Sequence, residues 1–290
     1  MTRDDPFVTH RSLLFTVAYE MLGSAADAED VVQETWVRWA GVDRAEVRDP
    51  RAYLVRTATR QALNRLRTQA RRREVYVGPW LPEPLLTSPD VAEDVELAES
   101  VSIAMLTVLE TLGPVERAVF LLREVFDLPY EEIAEAVGKS AAAVRQIAHR
   151  AREHVTARRP RMSVSRAEQQ EAVERFRIAV SNGDLQGLLD VFAPDVKLMS
   201  DGGGVVPAAL RPLTGAKTVA RQLSRFASLA PGARITTSWH NGAPALRIDP
   251  GGEFDSAISL AVEGDRITRI YVIRNPHKLA GLERQAILTR

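Results

Sequence analysis

Apolar residues recur every three or four positions in the first part of the chain, which is the spacing of a helix face. In residues 11–22 the apolar positions on one face are Leu14, Val17, Ala18 and Met21. Gly23 and Ser24 then supply an end signal and an N-cap for a second helix over residues 26–40. Asp49 and Pro50 supply a cap and a first-turn proline for a third helix that runs to Arg73.

A proline-rich segment interrupts the helical pattern. Residues 74–91 contain four prolines and one glycine, so no regular element is expected there. Several of its residues are too apolar for a solvated tether and are expected to dock on a neighbouring surface or on a partner: Trp80, Leu81, Leu85 and Leu86. Helical spacing resumes near Val91 and again at Pro114, which is favourable in a first turn.

Residues 130–152, YEEIAEAVGKSAAAVRQIAHRAR, form two short helical patterns that meet at Gly138. Glycine permits a left-handed turn there, and Ser140 can cap the second helix. Two interpretations fit this pattern: a packed helical pair with a solvated face, or a helix-turn-helix whose second helix enters a DNA groove. The residues left outside the core of the second helix are Ala142, Arg145, Gln146, His149 and Arg150.

The pattern changes after Pro160. Residues 166–199 predict two helices that separate at Asn182 and Gly183. Later segments alternate apolar and polar residues as strands do, over 233–242, 243–249, 256–265 and 266–275. Residues 262–265 are typical of a hairpin turn. The C-terminal part is therefore predicted to be a separate α+β domain.

Composition excludes several classes of protein. The chain has no cysteine, which excludes disulfides and thiolate metal sites. Its first ten residues lack the apolar core of a signal peptide. Its most apolar window, residues 101–109, is shorter than the roughly 20 residues of a membrane span. We expect a cytoplasmic protein with no metal and no cofactor.

The net charge of zero hides separate blocks of charge. Residues 51–73 hold eight arginines and no acid, residues 74–99 hold seven acids and no basic residue, and residues 139–161 hold seven basic residues and one acid. The outward positions of the first basic helix are Arg51, Arg56, Arg60, Asn64 and Arg67. These arginines repel one another unless an anion is bound, so they indicate a nucleic-acid surface or, alternatively, a solvated face. Tyr53, Trp36 and Trp39 are core residues or stacking surfaces for an unpaired base.

DAEDVVQETWVRW (27–39), the arginine-rich helix and LPYEEIAEAVGKSAAAVRQIAHRAR (128–152) together resemble an extracytoplasmic-function (ECF) sigma factor of bacterial RNA polymerase. The resemblance spans residues 7 to about 158. It implies promoter DNA and the β′ and β subunits of core polymerase as partners. Polymerase docking would use Asp27, Asp30, Gln33 and Glu34. The opened −10 element would meet Arg51, Arg56, Arg60, Asn64 and Arg67, and the −35 element would meet Ser140, Ala142, Arg145, Gln146, His149 and Arg150.

The C-terminal part resembles a SnoaL-like domain of the nuclear-transport-factor-2 superfold. The implied organisation is sigma region two at 1–73, an acidic linker at 74–98, sigma region four at 99–161 and the SnoaL-like domain at 165–290. The predicted fold class is thus two all-α sigma domains followed by an α+β cone. Sigma factors that carry such a C-terminal extension form a subgroup with three shared motifs. In this chain the motifs are represented by Trp80, Leu81 and Pro82, by Asp201, Gly202 and Gly203, and by Asn275, Pro276 and Lys278.

Two positions depart from the motifs of that subgroup. Val205 stands where a lysine is expected and His277 where an aspartate is expected, which removes any ion pair at those points. In the subgroup the extension regulates the sigma factor in cis. Gly202–Gly204 is alternatively a simple flexible turn.

Other functions of the C-terminal domain stay open at this point. It is a structural clamp, a pocket for an unknown small ligand, or an enzyme that shuttles protons through Asp195, Asp201, His240 or Asp255. None of these four residues has a spacing that demands catalysis, so no enzyme is expected. The alternative to a sigma factor is a helix-turn-helix regulator that binds DNA without polymerase and carries a ligand-sensing or enzymatic pocket domain.

Overall fold

A computed structural model describes residues 5–73, 75–159, 164–249, 251 and 256–290. These residues form two compact units. We call residues 5–73, 106–159 and 287–290 the helical unit, and residues 75–105, 164–249, 251 and 256–286 the sheet unit. The proline-rich linker therefore belongs to the sheet unit, while the last four residues belong to the helical unit. Among the described residues, no helix has the length and apolarity needed to cross a membrane.

The helical unit is built from long helices in its first part and shorter ones in its second. Their bounds are α1 Pro6–Leu22, α2 Ala25–Ala40, α3 Pro50–Arg73, α4 Val95–Val101, α5 Ile103–Leu109, α6 Pro114–Glu124, α7 Tyr130–Val137 and α8 Ala141–Thr156. Helix α4 and the first residues of α5 lie in the sheet unit. The helices predicted before Gly41 and after Pro50 are confirmed.

Helix α1 is buried on nearly all sides, which is expected of the central helix of a bundle. The predicted stripe is fully buried, and so are Tyr19 and Leu22 on other faces. Gly23 ends the helix with a φ of 65°, a left-handed conformation that glycine adopts without strain. The Ser24 side chain accepts a hydrogen bond from the Asp27 N–H and caps α2. These local signals place α1 and α2 side by side against α3.

Besides α4 and the start of α5, the sheet unit contains helices α9 to α13 and strands β1 to β6. Their bounds are α9 Arg166–Asn182, α10 Leu185–Val191, β1 Phe192–Asp201, β2 Leu213–Thr214, α11 Ala216–Ser224, α12 Phe226–Leu229, β3 Arg234–His240, β4 Ala243–Asp249, β5 Ser256–Glu263, β6 Arg266–Ile273 and α13 Pro276–Leu279. In the described part of the chain the six strands form one sheet in the order β2-β1-β6-β5-β4-β3. Strands β1 and β6 are parallel and the other neighbours are antiparallel.

The two faces of this sheet are covered by different parts of the chain. One face packs against α9, α10 and α11 through an apolar core that includes Phe176, Phe192, Leu246 and Ile270. The other face packs against the linker and the C-terminal segment, through Leu81, Tyr271, Ile273 and Leu279 among others. The linker is thus a layer of the sheet unit and not a solvated tether.

The sequence predicted that the second of the two helices in residues 166–199 would continue to residue 199, and this prediction was wrong at the C-terminal end of the helix. That helix ends at Val191, and residues Phe192–Asp201 form strand β1. The burial of β1 alternates through Val196, Leu198 and Ser200, and its parallel partner β6 lies far away in sequence. A local pattern does not reveal a strand that pairs at such a distance. Strand β2 was also missed, because it has only two residues.

Candidate nucleic-acid interface

Helix α3 exposes the residues that the sequence predicted to contact an opened −10 element. Arg51, Arg60, Asn64 and Arg67 are exposed and Arg56 is half-buried. The Asp49 side chain accepts a hydrogen bond from the Ala52 N–H at 3.0 Å and fixes the start of the helix. The apolar side of α3, including Leu54, Ala58 and Ala62, is buried. The predicted division of α3 into an apolar and a basic face is confirmed.

An open groove of about 460 Å³ lies between α2 and α3 and is lined by Val37, Arg38, Tyr53, Arg56 and Arg60 among others. The Tyr53 ring is half-buried, and the Arg56 guanidinium carbon lies 5.7 Å from its centroid. Trp39, in contrast, is a buried core residue that donates its Nε1–H to Asp5. A groove with a ring wall and a cationic rim suits an unpaired base followed by its phosphates.

The acidic residues on α2 are held by an arginine of α3. Arg65 donates from Nη1 to Asp27 at 2.9 Å and to Asp30 at 3.0 Å, and from Nη2 to Glu34 at 2.7 Å. Burial alone would lower the pKa of Arg65, but its hydrogen bonds to Glu34 and Asp27 raise it. Gln33 is exposed beside them. The predicted docking residues therefore form an ordered carboxylate row on the surface.

Helices α7 and α8 form the predicted helical pair. Gly138 joins them with a φ of 68°, and the Ser140 hydroxyl caps α8 by accepting a hydrogen bond from the Ala143 N–H. The predicted outward residues are all exposed: Ala142, Arg145, Gln146, His149 and Arg150. Arg145 donates to Glu131 of α7 at 2.9 Å, and its guanidinium carbon lies 5.4 Å from the centroid of the Tyr130 ring. This arginine is thus oriented before any partner binds.

The two basic helices share one unit, and an acid on α7 binds α3. Arg56 Nη1 donates to the Glu135 carboxylate at 2.6 Å, and Arg60 Nη2 donates to the Glu135 backbone oxygen at 2.7 Å. Helix α3 packs against α7, and the carboxylate that binds its arginines belongs to α7 and not to the acidic linker.

Asp201 joins the linker to the sheet. One carboxylate oxygen accepts hydrogen bonds from the Tyr76 hydroxyl at 2.6 Å and the Gly203 N–H at 3.0 Å, and the other accepts from the Leu81 N–H at 2.8 Å and Lys278 Nζ at 2.7 Å. Lys278 also donates to the Leu81 backbone oxygen. Asp201 is completely buried and Lys278 is nearly so. Burial and the hydrogen bond to Asp201 raise the pKa of Tyr76.

The other predicted motif residues surround the same carboxylate. Lys278 Nζ lies 4.0 Å from the centroid of the Trp80 ring, and Pro82 is buried. Asn275 donates from Nδ2 to the Tyr76 hydroxyl at 2.9 Å, and Pro276 begins α13. A Cβ on Gly202 would lie 2.3 Å from the Val206 backbone oxygen, so Gly202 is required by space and is more than a flexible link. The linker motif and the two C-terminal motifs therefore meet at one buried site.

A second contact holds the linker at the turn between β3 and β4. Asn241 Oδ1 accepts a hydrogen bond from the Leu85 N–H at 2.9 Å, and Asn241 Nδ2 donates to the Val101 backbone oxygen at 2.8 Å. Thr87 donates its N–H to the Trp239 backbone oxygen at 3.0 Å. Asn241 has a φ of 55°, a conformation that asparagine tolerates better than most residues. The linker is thus bound at two points.

The candidate proton-shuttle residues do not form one site. Asp195 and Asp201 lie on β1, which is four strand spacings from His240 on β3, roughly 19 Å at about 4.8 Å per strand. Asp201 is already occupied by the linker, and Asp255 lies outside the described residues. A cavity of about 200 Å³ lies beside Trp239, Arg166 and Glu99. A small ligand for the C-terminal domain stays a prediction.

His240 is a buried core residue beneath the linker. It is 1% exposed, its backbone forms a bridge with Leu86, and neither ring nitrogen has a hydrogen-bond partner among the described residues. Burial, with a smaller contribution from Arg247, lowers the pKa of His240 to about 3. His277, in contrast, is exposed. The imidazole of His240 is therefore neutral in the folded protein.

We expect the sheet unit to lose stability when the pH falls from 7 to 5. The unfolded chain binds a proton on His240 near pH 6.5, whereas the folded chain does so only near pH 3. Stability contributed by neutral His240 is complete above pH 6.5 and declines by about 1.4 kcal/mol per pH unit below it, or roughly 2 kcal/mol at pH 5. Hydrogen exchange of the β3 and β4 amides at both pH values measures this.

His240→Leu should remove this part of the pH dependence, and His277→Leu should leave it in place. Equal pH dependence in wild type and His240→Leu would contradict the assignment.

Sequence reasoning missed several residues that organise these sites. They are Arg65, Glu135, Tyr76 and Asn241. Glu135 and Asn241 act through contacts between segments distant in sequence, for which no local signal exists. Arg65 had a partial signal, since three acids on one face of α2 require a nearby cation.

Comparisons with known proteins agree with this geometry. Residues 7–72 match the family described as Sigma-70 region 2, and residues 102–155 match Sigma-70, region 4. The chain is 41% identical to the ECF RNA polymerase sigma factor SigJ of Mycobacterium tuberculosis over 219 residues, covering 74% of this chain and 70% of that protein. It is 33% identical to the probable ECF RNA polymerase sigma factor SigI of the same organism over 288 residues, covering 96% and 97%.

A solved structure is similar over nearly the whole chain. The crystal structure of Mycobacterium tuberculosis SigJ superposes with a TM-score of 0.77 at 33% identity and covers 94% of this chain and 97% of that one. The superposition extends through the C-terminal α+β domain, so the predicted fold class is confirmed: helical regions followed by a mixed-sheet domain.

Proposed function

Because this chain belongs to the extracytoplasmic-function sigma factors, we propose that α3 engages the opened −10 element of a promoter and that α8 reads the −35 element. As a sigma factor, and not an enzyme, the protein directs RNA polymerase to promoters, and its partners are core RNA polymerase and promoter DNA. The observation that carries the assignment of sites is that each matched region exposes one basic helix face.

The residues of α8 suit readout of a duplex. Small side chains at Ala141, Ala142 and Ala143 let the start of the helix approach the DNA closely. Arg145 and Gln146 follow within one turn, and these residue types pair with guanine and adenine edges in the major groove. The Glu131 carboxylate and Tyr130 ring limit the rotamers that Arg145 samples, which lowers the entropy lost on binding.

The residues of α3 suit a separated strand. Arg60 and Arg67 lie two helical turns apart on one exposed face and would contact successive phosphates. The groove beside Tyr53 would accept an unpaired base. On α2, Asp30, Gln33 and Glu34 would bind the β′ subunit of polymerase, and Arg65 would keep this acidic row separate from the basic face of α3.

Promoter binding by the complex with core polymerase, measured at several salt concentrations, and run-off transcription test these sites. Arg145→Ala should cost about 1–3 kcal/mol of promoter affinity and relax specificity at one base pair, because a base contact is lost. Arg60→Ala should weaken binding for all sequences and lower the salt slope by about 1, because a phosphate contact is lost. Arg175→Ala, on an exposed part of α9, is the matched control and should have no effect. Promoter-specific transcript that is unchanged in both test variants would contradict the assignment.

The C-terminal domain is proposed to regulate the sigma factor in cis by holding the linker. Residues Val75–Met105 could span roughly 100 Å if fully extended, at about 3.3 Å per residue. The bonds to Asp201 and Asn241 keep these residues in the sheet unit, so they cannot extend while docked. Release of the linker would give the two promoter-binding regions the reach to separate. The domain would therefore restrain transcription until the linker detaches.

A further inference from the structure

The helical unit holds the two promoter-binding regions in a closed arrangement. Helix α3 of the first region contacts α7 of the second through Glu135, and Arg117 of α6 donates to the Glu20 backbone oxygen at the end of α1. Helix α8 packs directly on α7. Since the axes of packed helices lie about 8–10 Å apart, and α7 packs against both α3 and α8, the axes of α3 and α8 are at most about 20 Å apart near these contacts.

In this arrangement the two basic helices lie too close together to reach both promoter elements. The −10 and −35 elements are about 25 base pairs apart, which is roughly 85 Å of duplex at about 3.4 Å per base pair. The two basic helices therefore cannot engage both elements while α3 lies against α7. The contact between α3 and α7 has to break when the sigma factor binds its promoter.

We propose that Glu135 is an internal competitor for DNA that holds Arg56 and Arg60 in the closed state. Its carboxylate presents oxygens to a guanidinium as a phosphate does, and its backbone oxygen lies in the last turn of α7, at the negative end of the helix dipole. Both acceptors bind the same two residues that the −10 strand would use. This inference rests on the assignment of Arg56 and Arg60 to the −10 element.

The strength of the contact fits a reversible competitor. The side chain of Arg56 is 33% exposed and that of Glu135 is 63% exposed, so solvent and salt weaken their ion pair. Several phosphates in succession would outcompete a single carboxylate. Glu131 of the same helix binds Arg145 of α8, so α7 supplies a carboxylate to each of the two DNA-binding helices. Some of the acids that bring the net charge of the chain to zero are therefore paired with the arginines that are proposed to bind DNA.

Binding of a fluorescent single-stranded DNA oligonucleotide to the full chain tests the proposal. Glu135→Gln should bind about 2- to 5-fold more tightly than Glu132→Gln at low salt. Glu132 lies on the same helix and makes no ion pair within the described residues, so both variants lose the same charge and only one loses the contact. The difference should shrink at high salt. Equal affinity of the two variants would overturn the proposal.

A distance measurement gives a second readout. The chain has no cysteine, so dyes attached at Ala40→Cys on α2 and Lys139→Cys beside α8 report the separation of the two regions. During titration with the oligonucleotide, energy transfer should fall at a lower DNA concentration in Glu135→Gln than in Glu132→Gln, because less competition has to be overcome. Equal midpoints for the two variants would also overturn the proposal. Adding Arg60→Ala to Glu135→Gln tests the −10 assignment separately. If the double variant binds the oligonucleotide as tightly as Glu135→Gln alone, the −10 assignment itself is wrong.

Discussion

Asp201→Asn should destabilise the sheet unit by about 3–5 kcal/mol, because it removes one partner of a buried ion pair. Asp201 is 0% exposed and Lys278 is 7% exposed. The uncharged amide removes the carboxylate charge that pairs with the Lys278 ammonium at 2.7 Å. The amide NH₂ also faces a donor, either the Leu81 N–H or the Tyr76 hydroxyl, at a position where the carboxylate accepted a hydrogen bond. Denaturant unfolding of the full chain, with hydrogen exchange of the β1 amides, measures the loss.

The same variant should release the linker and raise promoter-specific transcription per folded molecule. Loss of the Leu81 anchor leaves the linker held mainly at Asn241. Cleavage by a protease within residues 75–88 reports the release, and run-off transcription reports the output. Asp195→Asn is the matched control, since Asp195 lies on the same strand and is exposed. A released linker with unchanged transcription would contradict regulation through the linker.

Local signals were enough to predict most of the helical unit. Gly23, Ser24 and Asp49 each act within a few residues of their own position, and the structure places each in its predicted role. Exposure of the basic faces also follows from local sequence, because a helix that buries Leu54 and Ala58 must turn Arg60 outward. The two helices after residue 166 and the alternating segments after residue 233 gave the α+β class of the C-terminal part, and the resemblance to a SnoaL-like domain gave its family.

Contacts between distant segments were not predictable in the same way. The apolar linker residues indicated that a docking surface exists, but not that Asp201 would accept the Leu81 N–H. Nothing in residues 130–137 indicated that Glu135 would bind Arg56. Each contact depends on tertiary packing that brings residues together over long sequence separations. The roles of these residues in transcription stay predictions.

The two proposals, the closed arrangement and the docked linker, concern the same event. Opening of the helical unit separates α3 from α7, and the covalent connection between the two regions runs through residues 75–105. Breaking the Glu135 contact alone would leave that connection docked at Asp201 and Asn241. Breaking the docking alone would leave the arginines of α3 bound to Glu135. Under these two proposals full promoter engagement would require both changes, and we expect the Glu135 and Asp201 variants to have larger effects together than either has alone.

Arg117→Ala should destabilise the helical unit by about 3–5 kcal/mol, because it removes a buried cation that two regions share. Arg117 is 2% exposed, pairs with Glu110, and donates from Nε at 3.0 Å and from Nη2 at 2.7 Å to the Glu20 backbone oxygen. That oxygen is among the last carbonyls of α1, which have no partner within their own helix. Burial lowers the pKa of Arg117 to about 9, so the guanidinium still carries its charge at neutral pH.

Arg152→Ala is the control, because Arg152 is paired with a carboxylate but is not buried. It therefore separates the effect of burial on the free energy of unfolding from the effect of pairing. Arg152 makes a bidentate pair with Glu124 at 2.9 Å and 2.6 Å, but its side chain is 50% exposed, so its loss should cost about 1 kcal/mol or less. Denaturant unfolding with hydrogen exchange of the α1 and α6 amides compares the two variants. In the same doubly labelled chain, Arg117→Ala should lower energy transfer between positions 40 and 139, because the contact between α1 and α6 weakens. A cost of Arg117→Ala as small as that of Arg152→Ala would show that this arginine does not hold the two regions together.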